Sequence, residues 1–113
     1  MIRADCDADV LTLTLDRPDR ANSLTAAMLS ALTGHVRDAT DLRLLILTGT
    51  GAKVFSAGAD LEEARAGLAT SPLWEDLSSA IAALPCLTVA ALNGTLAGGA
   101  FGMALACDIR LSV

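Results

Sequence analysis

Hydrophobic and polar positions alternate first between Val10 and Leu15. Leu11, Leu13 and Leu15 fall on one side, Thr12 and Thr14 on the other, which is the period-two pattern of a half-buried strand. Asp16-Arg17-Pro18-Asp19 breaks that pattern, and the spacing then turns helical, with Leu24, Met28, Leu32, Val36 and Ala39 recurring along one face. Ser23 or Thr25 is placed to cap it, so a helix is predicted over about residues 25–39. Residues 43–48 form a short apolar run stopped by Gly49 and Gly51, and its length predicts a strand buried on both faces. The glycine-rich stretch from there to Asp60 reads as a loop. Asp60-Leu61-Glu62-Glu63 then puts acidic side chains in the first turn of a short helix, where they complement the helix dipole. Leu73, Leu77, Ile81 and Leu84 mark a second amphipathic helix ended by Pro85. Leu87–Leu92 reads as another buried strand, closed by the turn pair Asn93-Gly94. Gly98 and Gly99 precede Phe101, Met103, Leu105 and Ala106, a small-residue helix that has to be buried, and residues 109–113 return to strand. Strands alternating with helices predict an α/β fold with parallel pairing.

Residues 77–107 contain no charged side chain. Buried core is one reading. A membrane helix is the other, because the stretch exceeds the ~20 residues that cross a bilayer and carries Gly94-x-x-x-Gly98 and Gly98-x-x-x-Gly102. Pro85, the Asn93-Gly94 turn and the closely spaced glycines interrupt any single helix through it. At 113 residues the chain is one domain, and 53% hydrophobic residues with a mean hydropathy of +0.53 supply a core and exclude disorder. Only 3% are aromatic and the net charge is −5, so neither nucleic acid nor an anionic membrane is expected as the main partner. Cys6, Cys86 and Cys107 are too widely spaced for a CxxC metal site and odd in number, which suits a reducing, cytoplasmic setting. The acidic N-terminus lacks the basic-then-apolar order of an export signal.

Familiar chemical motifs fail. Gly49-Thr50-Gly51 lacks the third glycine of a dinucleotide loop, and Gly51-Ala52-Lys53 lacks both the leading glycine spacing and the hydroxyl residue of a P-loop. Ser56 has no glycine two residues before it, so it is not on a nucleophile elbow. His35, the one histidine, lies beside the apolar stripe of its helix and reads as a surface or boundary residue. Cys86 and Cys107 sit in apolar runs and read as inert thiols. No metal site is expected.

Three ordered segments carry more. Leu15-Asp16-Arg17-Pro18 with Asn22-Ser23-Leu24 comes first. Leu47-Thr48-Gly49 through Phe55-Ser56-Ala57-Gly58-Ala59-Asp60-Leu61 follows. The third runs from Pro85 through Asn93-Gly94 and Ala97-Gly98-Gly99 to Ala106-Cys107-Asp108. Together they resemble the enoyl-CoA hydratase/isomerase (crotonase) family. The resemblance spans nearly the whole chain and rather less than half of the family's module. It implies a crotonase-like ββα spiral, incomplete at the C-terminus, with residues 1–113 as the N-terminal part of an acyl-CoA-binding domain. It also implies a trimer-based homo-oligomer for the complete module. The substrate it implies is an acyl-CoA thioester, with no separate cofactor.

By position in these motifs, the backbone N–H groups of Ala59 and Gly99 resemble the family's oxyanion-hole donors, which stabilise a thioester enolate. Small residues at Ala57-Gly58-Ala59 permit close backbone approach, and Gly98-Gly99 opens a predicted helix, where unpaired N–H groups favour negative charge. Ala57, Ala59, Asp60, Leu61 and Glu62 resemble the segment lining the CoA groove. Arg20 lies where the family commonly contacts CoA, although a loop arginine is also simply a solvated one. Hydratases of the family carry a glutamate three residues after the second donor; here that position is Gly102. A second glutamate would fall beyond Val113. Water addition needs a base and an acid, each contributing roughly 10²- to 10⁴-fold, so the departure shifts weight from hydration toward other thioester chemistry, such as isomerisation or thioester-directed dehalogenation. The alternatives are a non-catalytic acyl-CoA-binding or assembly module and a membrane-embedded protein.

Overall fold

A computed structural model describes residues 1–112. Its main sheet has five strands in the order β1 (Ile2–Asp7), β2 (Val10–Leu15), β3 (Leu44–Gly49), β5 (Leu87–Leu92) and β7 (Ile109–Ser112). β1 runs antiparallel to β2; every other neighbour is parallel. β4 (Val54–Ser56) and β6 (Thr95–Leu96) make a separate two-stranded parallel ladder. The helices are α1 (Ala26–Asp38), α2 (Leu61–Arg65), α3 (Leu73–Ala82) and α4 (Ala100–Leu105).

Thr25 is the cap of α1, its side-chain oxygen accepting from the Met28 N–H at 3.1 Å. Asp60 does the same for α2 through the Glu63 N–H at 3.2 Å. The apolar stripe of α1, Met28, Leu29, Leu32 and Val36, joins one cluster with Leu11, Leu13 and Leu15 of β2, Leu45 and Leu47 of β3, and Leu77 and Ile81 of α3.

β3 is not buried on both faces. Leu45 and Leu47 are buried, while Leu44, Ile46 and Thr48 on the opposite face are only half-buried. The strand order advances in one direction, and right-handed crossovers that advance in one direction place their helices on a single face. The other face lacks that cover. For the same reason Leu87, paired with Leu44, is exposed at the start of β5; α4 is not wholly buried either, burying Ala100, Met103 and Ala104 while Phe101 and Leu105 are exposed. β7 is exposed along its described length, and the predicted strand's last residue, Val113, lies outside the described residues.

β1 carries no pattern that predicts a strand. Five of its six residues are exposed, and its register with β2, from Ile2↔Leu15 to Asp7↔Val10, is what makes it one. The uncharged stretch 77–107 resolves into the end of α3, β5, β6 and α4. Among the described residues no helix is long and apolar enough to cross a membrane, so this stretch does not form the single spanning helix that its lack of charge allowed.

Candidate active site

The small β4–β6 ladder builds the site. Because its strands are parallel, the segments that follow them, Ala57-Gly58-Ala59 and Ala97-Gly98-Gly99, leave at the same end and lie side by side. The Ala97 N–H donates to the Ser56 carbonyl at 3.0 Å, and the two glycines touch: a Cβ on Gly58 would lie 3.1 Å from Gly98 Cα and 3.3 Å from the Gly99 nitrogen. Gly58 has φ +100° and Gly98 φ +60°.

On its far side the first segment is pinned to residues 21–24. The Ala57 N–H donates to Ala21 at 3.0 Å, the Leu24 N–H to Gly58 at 2.7 Å and the Asp60 N–H to Leu24 at 2.9 Å. Those bonds flank Ala59 in an isolated parallel bridge with Leu24, and extended backbone alternates, so the Ala59 N–H points away from Leu24. Among the described residues, neither the Ala59 N–H nor the Gly99 N–H has an acceptor. Both residues line one cavity of about 440 Å³, together with Ala69, Thr70, Ser71, Trp74 and Glu75. That volume is in the range of small-molecule sites.

The asparagines of the motifs hold the frame. The buried Asn22 accepts from the Arg17 N–H at 2.9 Å and donates to the Thr50 and Val54 carbonyls, each at 3.1 Å. Asn93 accepts from the Gly49 N–H at 3.0 Å and donates to Gly51 at 2.8 Å and Val54 at 2.9 Å. Gly94 lies flat on the Lys53 carbonyl, leaving no room for a side chain. Asp108 ties β5 to the turn before β7, accepting from the Thr88 N–H at 3.0 Å and returning its own N–H to the Thr88 hydroxyl at 2.9 Å.

Asp60 is held between the Glu63 N–H and the Arg17 guanidinium, the latter at 3.0 Å, and these two hydrogen bonds keep its carboxyl below the ordinary carboxylate value. Arg17 also donates to the Ser23 carbonyl and hydroxyl. Ala57, Leu61 and Glu62, neighbours of Ala59 in the chain, are exposed, and Arg20 is exposed on a one-turn 3-10 segment, Pro18–Arg20, outside the cavity lining. Gly102 is also exposed and outside that lining; a Cβ there would meet only the Ser78 hydroxyl, at 3.5 Å. His35 is exposed on α1, and burial pushes the Cys107 thiol up to about 11. No cluster of three or more His, Cys, Asp or Glu side chains suited to a metal occurs among the described residues.

Two cavity residues have no signal in the motifs. Trp74 packs its ring on Gly99, with ring carbons 3.0–3.1 Å from where a Gly99 Cβ would lie, and its indole N–H donates to the Leu68 carbonyl at 2.9 Å. Glu75 follows it in the first turn of α3. A lone tryptophan next to an amphipathic stripe hints at a packed surface. Which surface it packs on is decided by the long-range contact alone.

The sequence profile of the enoyl-CoA hydratase/isomerase family matches residues 5–112. The chain belongs to that family. YngF of Bacillus subtilis is 41% identical over 109 residues, which cover 88% of this chain and 42% of YngF. An enoyl-CoA hydratase of Alternaria alternata is 38% identical over 111 residues, covering 94% of this chain and 37% of its own. The crystal structure of an enoyl-CoA hydratase from Bacillus anthracis superposes with a TM-score of 0.79 at 35% identity, over 98% of this chain and 46% of that one. An enoyl-CoA hydratase from Mycobacterium avium subsp. paratuberculosis gives a TM-score of 0.87 at 29% identity, also over 98% and 46%. The crotonase-family fold expected from the motifs is therefore present, and the chain spans less than half the length of these relatives.

Proposed function

We propose that this crotonase-family chain forms the acyl-CoA site of an enzyme in which the Ala59 and Gly99 N–H groups jointly hold the thioester oxygen and stabilise an enolate. The observation that carries the reading is a pair of backbone donors without acceptors among the described residues, on touching segments that line one cavity. Such a donor is worth about 3 kcal/mol of transition-state stabilisation, because it is fixed before charge develops on the oxygen. α4 is only six residues long, so the donors themselves, rather than a helix dipole, support the reading. Ala57, Asp60, Leu61 and Glu62 flank the CoA portion, with Asp60 acting through Arg17 to set the segment's path; Arg20 is a more distant CoA contact. The CoA thioester is itself the substrate and no further cofactor is needed. The reading includes a cytoplasmic setting and a trimer-based assembly of the complete module, and the exposed Phe101, Leu105, Ile109 and Leu111 fit a surface covered in such an assembly.

One observation favours a second reading, a module that binds acyl-CoA without chemistry: position 102 offers glycine where hydratases of the family carry a carboxylate. Both readings require the donors. Bound acyl-CoA should show its thioester C=O stretch moved to lower frequency, since donation weakens the double bond. Gly99→Pro, which removes the donor, should abolish the shift, and Gly102→Glu should leave it in place. An unshifted carbonyl in the bound complex, or a shift intact in folded Gly99→Pro, refutes the donor assignment. Exchange of the substrate's α-protons separates the enzyme from the binding module.

A further inference from the structure

We propose that Glu75 is the carboxylate that moves protons at the α-carbon of a thioester held by Ala59 and Gly99. The inference rests on the acyl-CoA reading above and adds to it the group that does the proton chemistry. Among the described residues lining the cavity, Glu75 is the one titratable side chain. Its position is not left to chance. Trp74, the preceding residue, lies on Gly99 and is tied through its indole N–H to the Leu68 carbonyl, so the first turn of α3 is docked against the second donor. Glu75 is carried by that turn to the same cavity, and its exposure lets a captured proton exchange with water.

The chemistry balances with this one group. The Glu75 carboxylate takes an α-proton as the Cα–H bond breaks, and the electron pair forms the enolate C=C bond with the charge on the thioester oxygen, facing the Ala59 and Gly99 N–H groups. The proton then returns to Cα, which is exchange. In a 3-enoyl thioester it is delivered instead to the γ-carbon, which moves the double bond from the 3,4 to the 2,3 position. Water is not consumed, and no second carboxylate is required. The substrate class that follows is an acyl thioester with an acidic α-hydrogen, and the reaction class is proton transfer or double-bond migration. An acidic residue in a first helical turn also complements the helix dipole, so the test must separate that role from proton transfer.

The full chain is incubated with butyryl-CoA in D2O, and deuterium at the α-carbon is followed by NMR. Exchange above the buffer rate is expected. Glu75→Gln should lower it at least about 100-fold, with butyryl-CoA affinity, the carbonyl shift and Trp74 emission unchanged, and Glu75→Asp should retain measurable exchange. A merely structural Glu75 would move none of the exchange rate. Wild-type exchange in Glu75→Gln overturns the assignment, as does a shifted carbonyl with no exchange above buffer. A carbonyl that is not shifted at all overturns the donor reading first and Glu75 with it.

Discussion

Replacing Gly58 by alanine should separate the two glycine-bearing segments of the site. A Cβ there would lie 3.0 Å from the Ala97 oxygen, 3.1 Å from Gly98 Cα and 3.3 Å from the Gly99 nitrogen, all backbone atoms that have no rotamer to escape into. Its φ of +100° adds a backbone penalty for any L side chain. Left-handed backbone costs about 1–2 kcal/mol and overpacking about 1–3 kcal/mol, so Gly58→Ala should destabilise by about 2–5 kcal/mol. For a domain of this size that lowers Tm by about 10 °C or more. Two further glycines isolate the terms. Gly67 has φ +113° but nothing within 4 Å of its Cβ direction, so Gly67→Ala should lose only the backbone term, about 1–2 kcal/mol. Gly34 lies inside α1 with open space, and Gly34→Ala should gain about 0.5–1 kcal/mol. Urea and thermal unfolding, followed by circular dichroism and by the emission of the single tryptophan, measure all three. Should Gly58→Ala prove no less stable than Gly67→Ala, the close approach of the two segments is wrong.

The pH dependence of two groups follows from their surroundings. Hydrogen bonds from the Glu63 N–H and Arg17 hold the folded Asp60 carboxyl below its ordinary 3.8, so its stabilisation is complete above that value and disappears as pH falls through the lower folded value. The stability gap between the wild type and Asp60→Asn should therefore be widest at neutral pH and close on acidification, and a gap constant from pH 7 to about pH 2 contradicts this. Burial raises the Cys107 thiol from 9.0 to about 11, so the stability it supports is intact below pH 9 and is lost as pH rises through 11. Cys107→Ala should remove that alkaline decline. Thiol labelling at pH 8, read by mass spectrometry, should modify the exposed Cys6 quickly and Cys107 only on unfolding.

Local pattern was enough for α1, whose cap Thr25 was one of two candidates, and for β2, β3 and β5, because each carries its own apolar stripe or run and its own stop signal. The motif residues were legible for a related reason: Gly49 and Gly94 sit where neighbouring atoms leave no room for a Cβ, Asn22 and Asn93 where one amide must bridge three backbone groups, and each demand is written at a single position. β1 is different. Its residues are mostly exposed, and only pairing with β2 orders them. The one-sided cover of β3 follows from the direction in which the strand order advances, a property of the whole chain. β4 and β6 are three and two residues long, too short to show a period, and they pair across about forty positions of sequence. That pairing brings Ala59 and Gly99 to one cavity, and the docking of α3 brings Trp74 and Glu75 to it. The sequence by itself determined the longer helices and the strands that carry their own apolar residues, and its family motifs named the candidate donors; the tertiary structure decided β1, β4 and β6 and what faces the candidate site, because residues distant in sequence meet only when the crossovers close.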